Sequence, residues 1–123
     1  MANIYLDANK VLDLAYRKTQ VREELDRHHV FLSPLSIHIL CYTGKRSLPD
    51  EDVNQFIDGF HIVDLTKDIL EKSLSGPTSD LEDNIQLHSA AEAECDYFLT
   101  SDKRLLAMKF FGKTRIMSTI DRT

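Results

Sequence analysis

The sequence is poor in the residues that would tie it to disulfide chemistry or to a membrane. Its 123 residues include no tryptophan, two cysteines, three prolines and four glycines. Cys41 and Cys95 stand far apart and outside any CxxC or Cys/His pattern, which excludes a disulfide framework and a zinc knuckle. No apolar run approaches the ~20 residues needed to cross a bilayer, and the first residues lack the features of a secretory signal. We therefore expect a soluble, cytoplasmic protein with no membrane partner.

Positive charge is scarce relative to negative charge. Fifteen Lys and Arg side chains oppose twenty Asp and Glu side chains, for a net charge of −5. This balance argues against a protein whose main task is blanket nucleic-acid binding. The distribution is uneven, because residues 47–102 carry two basic and fourteen acidic side chains whereas residues 103–123 carry six and one. A folded chain can therefore set an acidic cluster beside a basic rim.

Short runs of β-branched, aromatic and aliphatic residues recur along the chain, each but the last leading into a helical pattern. Four of them, at 4–6, 30–32, 60–63 and 97–99, predict strands, and 115–117 is a fifth candidate. The longest turn-rich stretch, 75–79, is too short for a domain linker. We expect one domain over residues 1–123, of the α/β class: a three-layer α/β/α sandwich with a mostly parallel central sheet of four to five strands.

Helix starts are marked by local signals. A proline at the first helical position predicts a helix from Pro34, and Pro49 followed by three acids predicts another. Thr66 can cap a third. Ser79 and Glu82 form a capping-box pattern that predicts the start of an Ala-rich helix over 81–94.

Acidic residues are the main candidates for chemistry, since P-loop, GxGxxG and nucleophile-elbow motifs are absent. Asp7 directly follows the first strand, Asp102 comes shortly after the fourth, and Asp83 lies in the first turn of the Ala-rich helix. Ligands of open α/β sheets bind outside the carboxyl ends of the strands. Three carboxylates meeting there repel one another unless a divalent cation neutralises them. The pattern predicts a Mg²⁺ or Mn²⁺ site suited to phosphodiester hydrolysis.

A plainer interpretation exists for each acid alone. An Asp between a strand and a helix is an ordinary N-cap, and an acid in a first helical turn interacts favourably with the helix dipole. Asn9 can equally be the cap of the first helix.

Two stretches carry a resemblance to a known family. Asp7-Ala8-Asn9 precedes a helix, and residues 80–86, Ala90-Ala91 and residues 95–102 follow in order. Together they resemble the PIN-domain nucleases over essentially the whole chain. The resemblance implies a PIN-like α/β/α fold and a metal-dependent ribonuclease, and many stand-alone members of this size are toxins of toxin–antitoxin pairs.

The resemblance also implies roles for individual residues. Asp7, Asp83 and Asp102 are the expected catalytic, metal-binding acids. The expected supporting residues are Asn9, Ser36, Thr100 and Glu82.

One position departs from the family pattern. His38 stands two residues after Ser36, where the family usually has a Glu. An imidazole suits Mn²⁺ or another transition metal better than Mg²⁺ and supplies no negative charge. Three consequences stay open: a changed metal preference with His38 as a ligand, a weak second metal, or lost activity. A fourth interpretation makes His38 a core histidine beside Cys41 and Tyr42.

A ribonuclease of this kind needs an RNA substrate and a protein that restrains it. RNA is the expected substrate. Five basic side chains after the fourth strand either hold its phosphates or form a solvated face: Lys103, Arg104, Lys109, Lys113 and Arg115. A cell must restrain a general ribonuclease, so an antitoxin protein is an expected partner, and a homodimer is compatible with the sequence. The alternatives are a catalytically degenerate PIN-like domain that binds RNA or protein, and a different Mg²⁺ enzyme such as a small phosphatase or phospho-acceptor domain.

Overall fold

Strands and helices alternate along the chain in the computed structural model, which describes residues 1–16, 23 and 25–120. The strands are β1 (Asn3–Leu6), β2 (His29–Leu32), β3 (His61–Ile62), β4 (Tyr97–Leu99), β5 (Phe110–Phe111) and β6 (Thr114–Met117). The helices are α1 (Ala8–Tyr16), α2 (Pro34–Thr43), α3 (Glu51–Ile57), α4 (Lys67–Leu74), α5 (Leu81–Glu92) and α6 (Lys103–Met108). No helix of these described residues has the length and apolarity needed to span a bilayer.

The strands form one sheet in the order β3-β2-β1-β4-β6-β5. Every pairing is parallel except that of β5 with β6. The sheet is therefore mostly parallel, as predicted, and the fifth candidate strand is confirmed as β6. The described residues form six strands rather than four to five. The extra strand, β5, has only two residues, too few to give a periodic pattern in the sequence.

Both faces of the central strands β1 and β4 are buried, which explains why their sequences lack clean polar alternation. Ile4 and Leu6 of β1 lie in one apolar cluster with residues of α1, α2 and α3. Tyr5, on the opposite face of the same strand, lies in a second cluster with residues of α5 and α6. These two clusters confirm the three-layer α/β/α sandwich.

The helix starts follow the sequence signals with one exception. Pro34 is the first residue of α2, Asp50 caps α3 and Thr66 caps α4. The capping box at Ser79 is wrong, because the cap of α5 is Asp80, whose carboxylate accepts a hydrogen bond from the backbone N–H of Asp83. The side chain of Glu82 is thereby available for another role.

Candidate metal centre

Asp7 lies at the carboxyl end of the central strand β1 and is buried, with 2% of its surface exposed. Its Oδ1 accepts a hydrogen bond from the N–H of Ala8 at 2.8 Å. Its Oδ2 accepts from Thr100 Oγ1 at 2.7 Å and from Asn9 Nδ2 at 3.1 Å. Thr100 follows β4, the neighbouring strand, so the parallel pairing of β1 with β4 brings these groups together. Asp7 is thus a buried carboxylate held in one orientation.

Asn9 connects the first helix to the loop after β4. Its Nδ2 donates to Asp7 and, at 3.3 Å, to Thr100 Oγ1, while its Oδ1 accepts from the N–H of Ser101 at 3.1 Å. The interpretation of Asn9 as the cap of α1 is wrong, because α1 already begins at Ala8. Asn9 instead holds two chain segments together around Asp7, as a supporting residue would.

The first turn of α5 supplies the other acids. Ligand-type oxygens of Asp7, Glu82 and Asp83 all lie within 4.8 Å of one another. Asp7 is buried, Asp83 is half-buried and Glu82 is exposed. We call these three side chains the acidic group. Two of its members were expected as catalytic acids, and Glu82 was expected as a supporting residue.

The charges in the acidic group disfavour one another. Burial raises the pKa of Asp7, and the charge of Asp102 raises it further, against the lowering effect of hydrogen bonds from Thr100, Ala8 and Asn9. The pKa of Asp83 is raised to about 6, by burial first and then by the charges of neighbouring acids. Although much of Glu82 is exposed, the partial burial of its carboxyl raises its pKa, as do the charges of Asp7 and Asp80. Each carboxylate is therefore costly to ionise without a nearby positive charge.

Asp102 lies beside the acidic group without belonging to it. It is the N-cap of α6, and its Oδ1 accepts from the N–H of Arg104 at 2.8 Å. Its charge acts on Asp7 and on Asp83, raising the pKa of both. Asp102 therefore acts both as an ordinary cap and as an added negative charge at the same end of the sheet.

A buried polar contact fixes α5 to the sheet one turn after Glu82 and Asp83. Gln86 is fully buried and accepts a hydrogen bond from the hydroxyl of Tyr5 on β1. Its Nε2 donates to Ser36 Oγ on α2 at 3.0 Å. Ser36, an expected supporting residue, therefore contacts Gln86 rather than an acid.

No sequence motif predicts a role for Gln86 or Tyr5. The one available signal was a long amide side chain between two aliphatic residues, Ile85 and Leu87, in the helix that carries Asp83.

His38 lies outside the acidic group. Its side chain is exposed and its ring is 6.4 Å from that of Tyr42, which is itself 80% exposed. The interpretation of His38 as a core histidine is therefore wrong. Its role as a ligand stays a prediction, since among the described residues it enters no cluster of three metal-binding side chains.

Two basic side chains stand at the start of α6. Lys103 and Arg104 are both exposed, and Arg104 Nε lies 3.8 Å from Asp102 Oδ1. Their exposure is compatible with phosphate contacts and with a solvated face alike.

The donor set fits a hard divalent cation. Mg²⁺ and Mn²⁺ prefer carboxylate oxygens, and the acidic group offers three of them with no sulfur or imidazole. A cation also offsets both the cost of burying the three carboxylates and their mutual repulsion, the two effects that raise their pKa values. Asp7, Glu82 and Asp83 are thus the residues that would hold it.

Comparison with known proteins adds evidence on the fold. Neither a protein-family model nor a curated protein sequence matches the chain. Among solved structures, VapBC2 of Rickettsia felis, bound to a DNA fragment from its promoter, matches with a TM-score of 0.70 and 11% identity. That match covers 94% of this chain and 97% of the other. VapC20 of Mycobacterium tuberculosis, a Sarcin-Ricin loop cleaving toxin, matches with a TM-score of 0.65 and 12% identity, covering 91% and 98%.

At such low sequence identities these matches show a shared fold, and the shared fold extends over nearly the whole length of each protein. The chain therefore has the PIN-like fold of the VapC toxin structures, and the resemblance found in its sequence is confirmed at the level of the fold.

Proposed function

We propose that the protein is a divalent-metal-dependent endoribonuclease. The observation that carries this proposal is the acidic group, in which oxygens of Asp7, Glu82 and Asp83 lie within 4.8 Å at the carboxyl end of a parallel sheet. This is the edge at which open α/β sheets bind ligands. Mg²⁺ or Mn²⁺ is the proposed cofactor, since both take hard oxygen ligands.

The protein's own residues have distinct parts in the reaction. Asp7 and Asp83 bind the cofactor, and Glu82 supplies a third carboxylate from the exposed side. Thr100 and Asn9 hold Asp7 in a fixed orientation through their hydrogen bonds. When bound, the cation supplies activation of water and stabilisation of the charge that develops on the phosphate oxygens. Asp102 adds negative charge beside the group and orients α6.

Substrate and partner follow from the resemblance and from the comparisons. One structure of the same fold is a Sarcin-Ricin loop cleaving toxin, and another belongs to a VapBC pair. We extend both properties to this chain: RNA is the substrate, Lys103 and Arg104 contact its phosphates, and an antitoxin protein restrains the activity. A cytoplasmic location follows from such a role. The homodimer stays a prediction.

The test is RNA cleavage by purified protein in Mg²⁺, in Mn²⁺ and in EDTA. Asp83→Asn removes one charge of the acidic group, and Asp68→Asn is the matched control, because Asp68 is an exposed acid in the first turn of α4. We expect cleavage that requires metal, survives in Asp68→Asn and disappears in Asp83→Asn. Equal cleavage by both variants would assign the activity to a contaminant or to another site.

A degenerate binding domain is the second candidate, and one observation favours it. The α2 segment, PLSIHILCYT, contains no carboxylate, so this helix cannot contribute an acid to the centre. In this case the protein binds RNA without metal and with a steep dependence on salt. Failure of well-folded protein to cleave RNA in either metal, together with such binding, would favour this function over the nuclease.

A further inference from the structure

A cleft lies at the β5–β6 edge of the sheet, and none of its lining residues belongs to the acidic group. Its volume is about 330 Å³. It is lined by Lys109, Phe110, Arg115, Ile116, Met117, Ser118 and Thr119. The cleft therefore combines an aromatic ring, two cationic side chains and two hydroxyls.

The aromatic ring in this cleft is unusually accessible for a phenylalanine. Phe110 is 55% exposed, and the guanidinium carbon of Arg115 lies 5.9 Å from the centre of its ring. The two residues oppose each other in the antiparallel pair of β5 and β6, so their side chains lie on one face of the sheet. An exposed ring beside a guanidinium is the combination on which nucleobases stack in single-stranded nucleic-acid complexes.

The charge of the cleft suits a phosphate backbone. Residues 103–117 contain five basic side chains and no acidic one. Lys109 and Arg115 are both exposed, and in the described part of the chain neither forms an ion pair with a carboxylate. These cations can therefore neutralise phosphates without first breaking an internal salt bridge.

The cleft lies within reach of the acidic group. The N–H of Thr100 donates to the carbonyl of Met117 at 3.0 Å, and its hydroxyl donates to Asp7. β1 and β6 are separated only by β4, and β5, which carries Phe110, is one strand further out, so β5 lies roughly 15 Å from β1 at the usual spacing of strands. A single-stranded nucleic acid with one nucleotide in the cleft can therefore reach the acidic group with a few further nucleotides.

We propose that this cleft binds one nucleotide of a single-stranded nucleic acid, with its base stacked on the Phe110–Arg115 pair and its phosphates beside Lys109 and Arg115. This inference rests on the proposed nuclease function, and the bound nucleic acid is therefore RNA. The cleft then sets which phosphate of the strand lies at the acidic group.

The experiment measures binding of a short fluorescent single-stranded RNA in EDTA, where cleavage is suppressed. Phe110→Ala removes the ring, Phe110→Tyr keeps it, and Arg115→Gln removes one charge. Leu74→Ala and Lys67→Gln are the matched controls, because both side chains are exposed on the remote helix α4. We expect Phe110→Ala to weaken binding about 5- to 100-fold, the effect of losing one stacked base. Phe110→Tyr and both controls bind as the wild type does, and Arg115→Gln lowers the salt slope by about one.

Binding and cleavage measured on the same variants separate this inference from the nuclease proposal. Phe110-dependent binding without cleavage in either metal supports the cleft and overturns the nuclease. Metal-dependent cleavage with equal binding by wild type, Phe110→Ala and Arg115→Gln overturns the cleft alone.

Single-stranded DNA of the same sequence is expected to show the same dependence on Phe110, since stacking does not require the 2′-hydroxyl. Duplex RNA is expected to bind more weakly, because its bases are already stacked; equal binding of the duplex would overturn the stacking mode.

Discussion

The hydroxyl of Thr100 donates a 2.7 Å hydrogen bond to Oδ2 of Asp7 across two neighbouring parallel strands. The Oγ1 atom of Thr100 also accepts a hydrogen bond from the backbone N–H of Asp102 at 3.0 Å. Thr100 is fully buried, so one hydroxyl shielded from solvent links the carboxylate of Asp7 to the backbone of Asp102, another of the expected catalytic acids.

Replacing this hydroxyl by a methyl group should affect both stability and metal binding. Thr100→Val leaves Asp7 with one donor fewer and removes the acceptor of the Asp102 N–H, at an expected cost of about 1–3 kcal/mol in the free energy of unfolding. In the wild type the hydrogen bond from Thr100 lowers the pKa of Asp7. In the variant this pKa should therefore rise, and the affinity for Mn²⁺ should fall. Urea unfolding and calorimetric titration with Mn²⁺ measure the two effects.

Thr114→Val is the matched control for this change. Thr114 is also buried, and its hydroxyl donates to the carbonyl of Cys95, away from the acids. It should lose comparable stability and keep the wild-type Mn²⁺ affinity. Equal loss of affinity in both variants would show that metal binding merely follows global stability.

Asp102→Asn separates capping from charge. Asn and Asp are comparable N-caps, so α6 should persist and the free energy of unfolding should change by less than about 0.5 kcal/mol. The loss of one negative charge should lower the pKa of Asp83 and weaken Mn²⁺ binding. The pKa is read from an NMR titration of the Asp83 carboxyl, and the affinity from calorimetry. Unchanged Mn²⁺ affinity would leave Asp102 a cap and remove it from the metal centre.

The raised pKa of Asp83 makes stability depend on pH in a stated direction. Its pKa is 3.8 in an ordinary environment and about 6 here, so between these values the folded protein binds more protons than the unfolded chain. The free energy of unfolding in EDTA should therefore fall as pH rises from about 4 to 6. Asp83→Asn should lack this contribution and gain stability relative to the wild type over the same range. Parallel curves for wild type and Asp83→Asn in urea unfolding would contradict the raised pKa, and Asp68→Asn should follow the wild type throughout.

Gln86→Leu tests whether the buried contact behind the acids positions them. The substitution keeps the approximate size of the side chain but leaves the hydroxyls of Tyr5 and Ser36 without this partner, which should cost about 1–3 kcal/mol. Because α5 then loses a polar anchor one turn from Glu82 and Asp83, Mn²⁺ affinity should fall as well. A variant that loses stability but binds Mn²⁺ as tightly as wild type would show that apolar packing alone positions α5.

Much of the architecture was predictable because local and global signals agree. The central strands β1 and β4 are mostly apolar on both faces, which indicates a buried parallel sheet. Helices α2, α3 and α4 begin at or directly beside their sequence signals. Asp7 was predictable because the carboxyl ends of parallel strands meet at one edge, and Asp83 because a helix that leads into a parallel strand begins near that same edge.

The features that were missed depend on tertiary contacts. Asp80, and not Ser79, is the N-cap of α5. Both residue types are good caps, so only the path of the preceding loop decides between them. The role of Gln86 depends on Tyr5 and Ser36, which lie 81 and 50 residues away in sequence. The exposure of His38 was not predictable from a helical pattern, because α2 is apolar on several sides.

The two outermost strands of the described sheet, β3 and β5, are its shortest. β3 and β5 are each two residues long, so each edge offers very few unpaired backbone N–H and C=O groups. Short edges are one of the ways in which β-proteins avoid recruiting the strands of other molecules. The short borders of the described sheet therefore disfavour edge-to-edge pairing with other molecules, although neither border strand contains a proline.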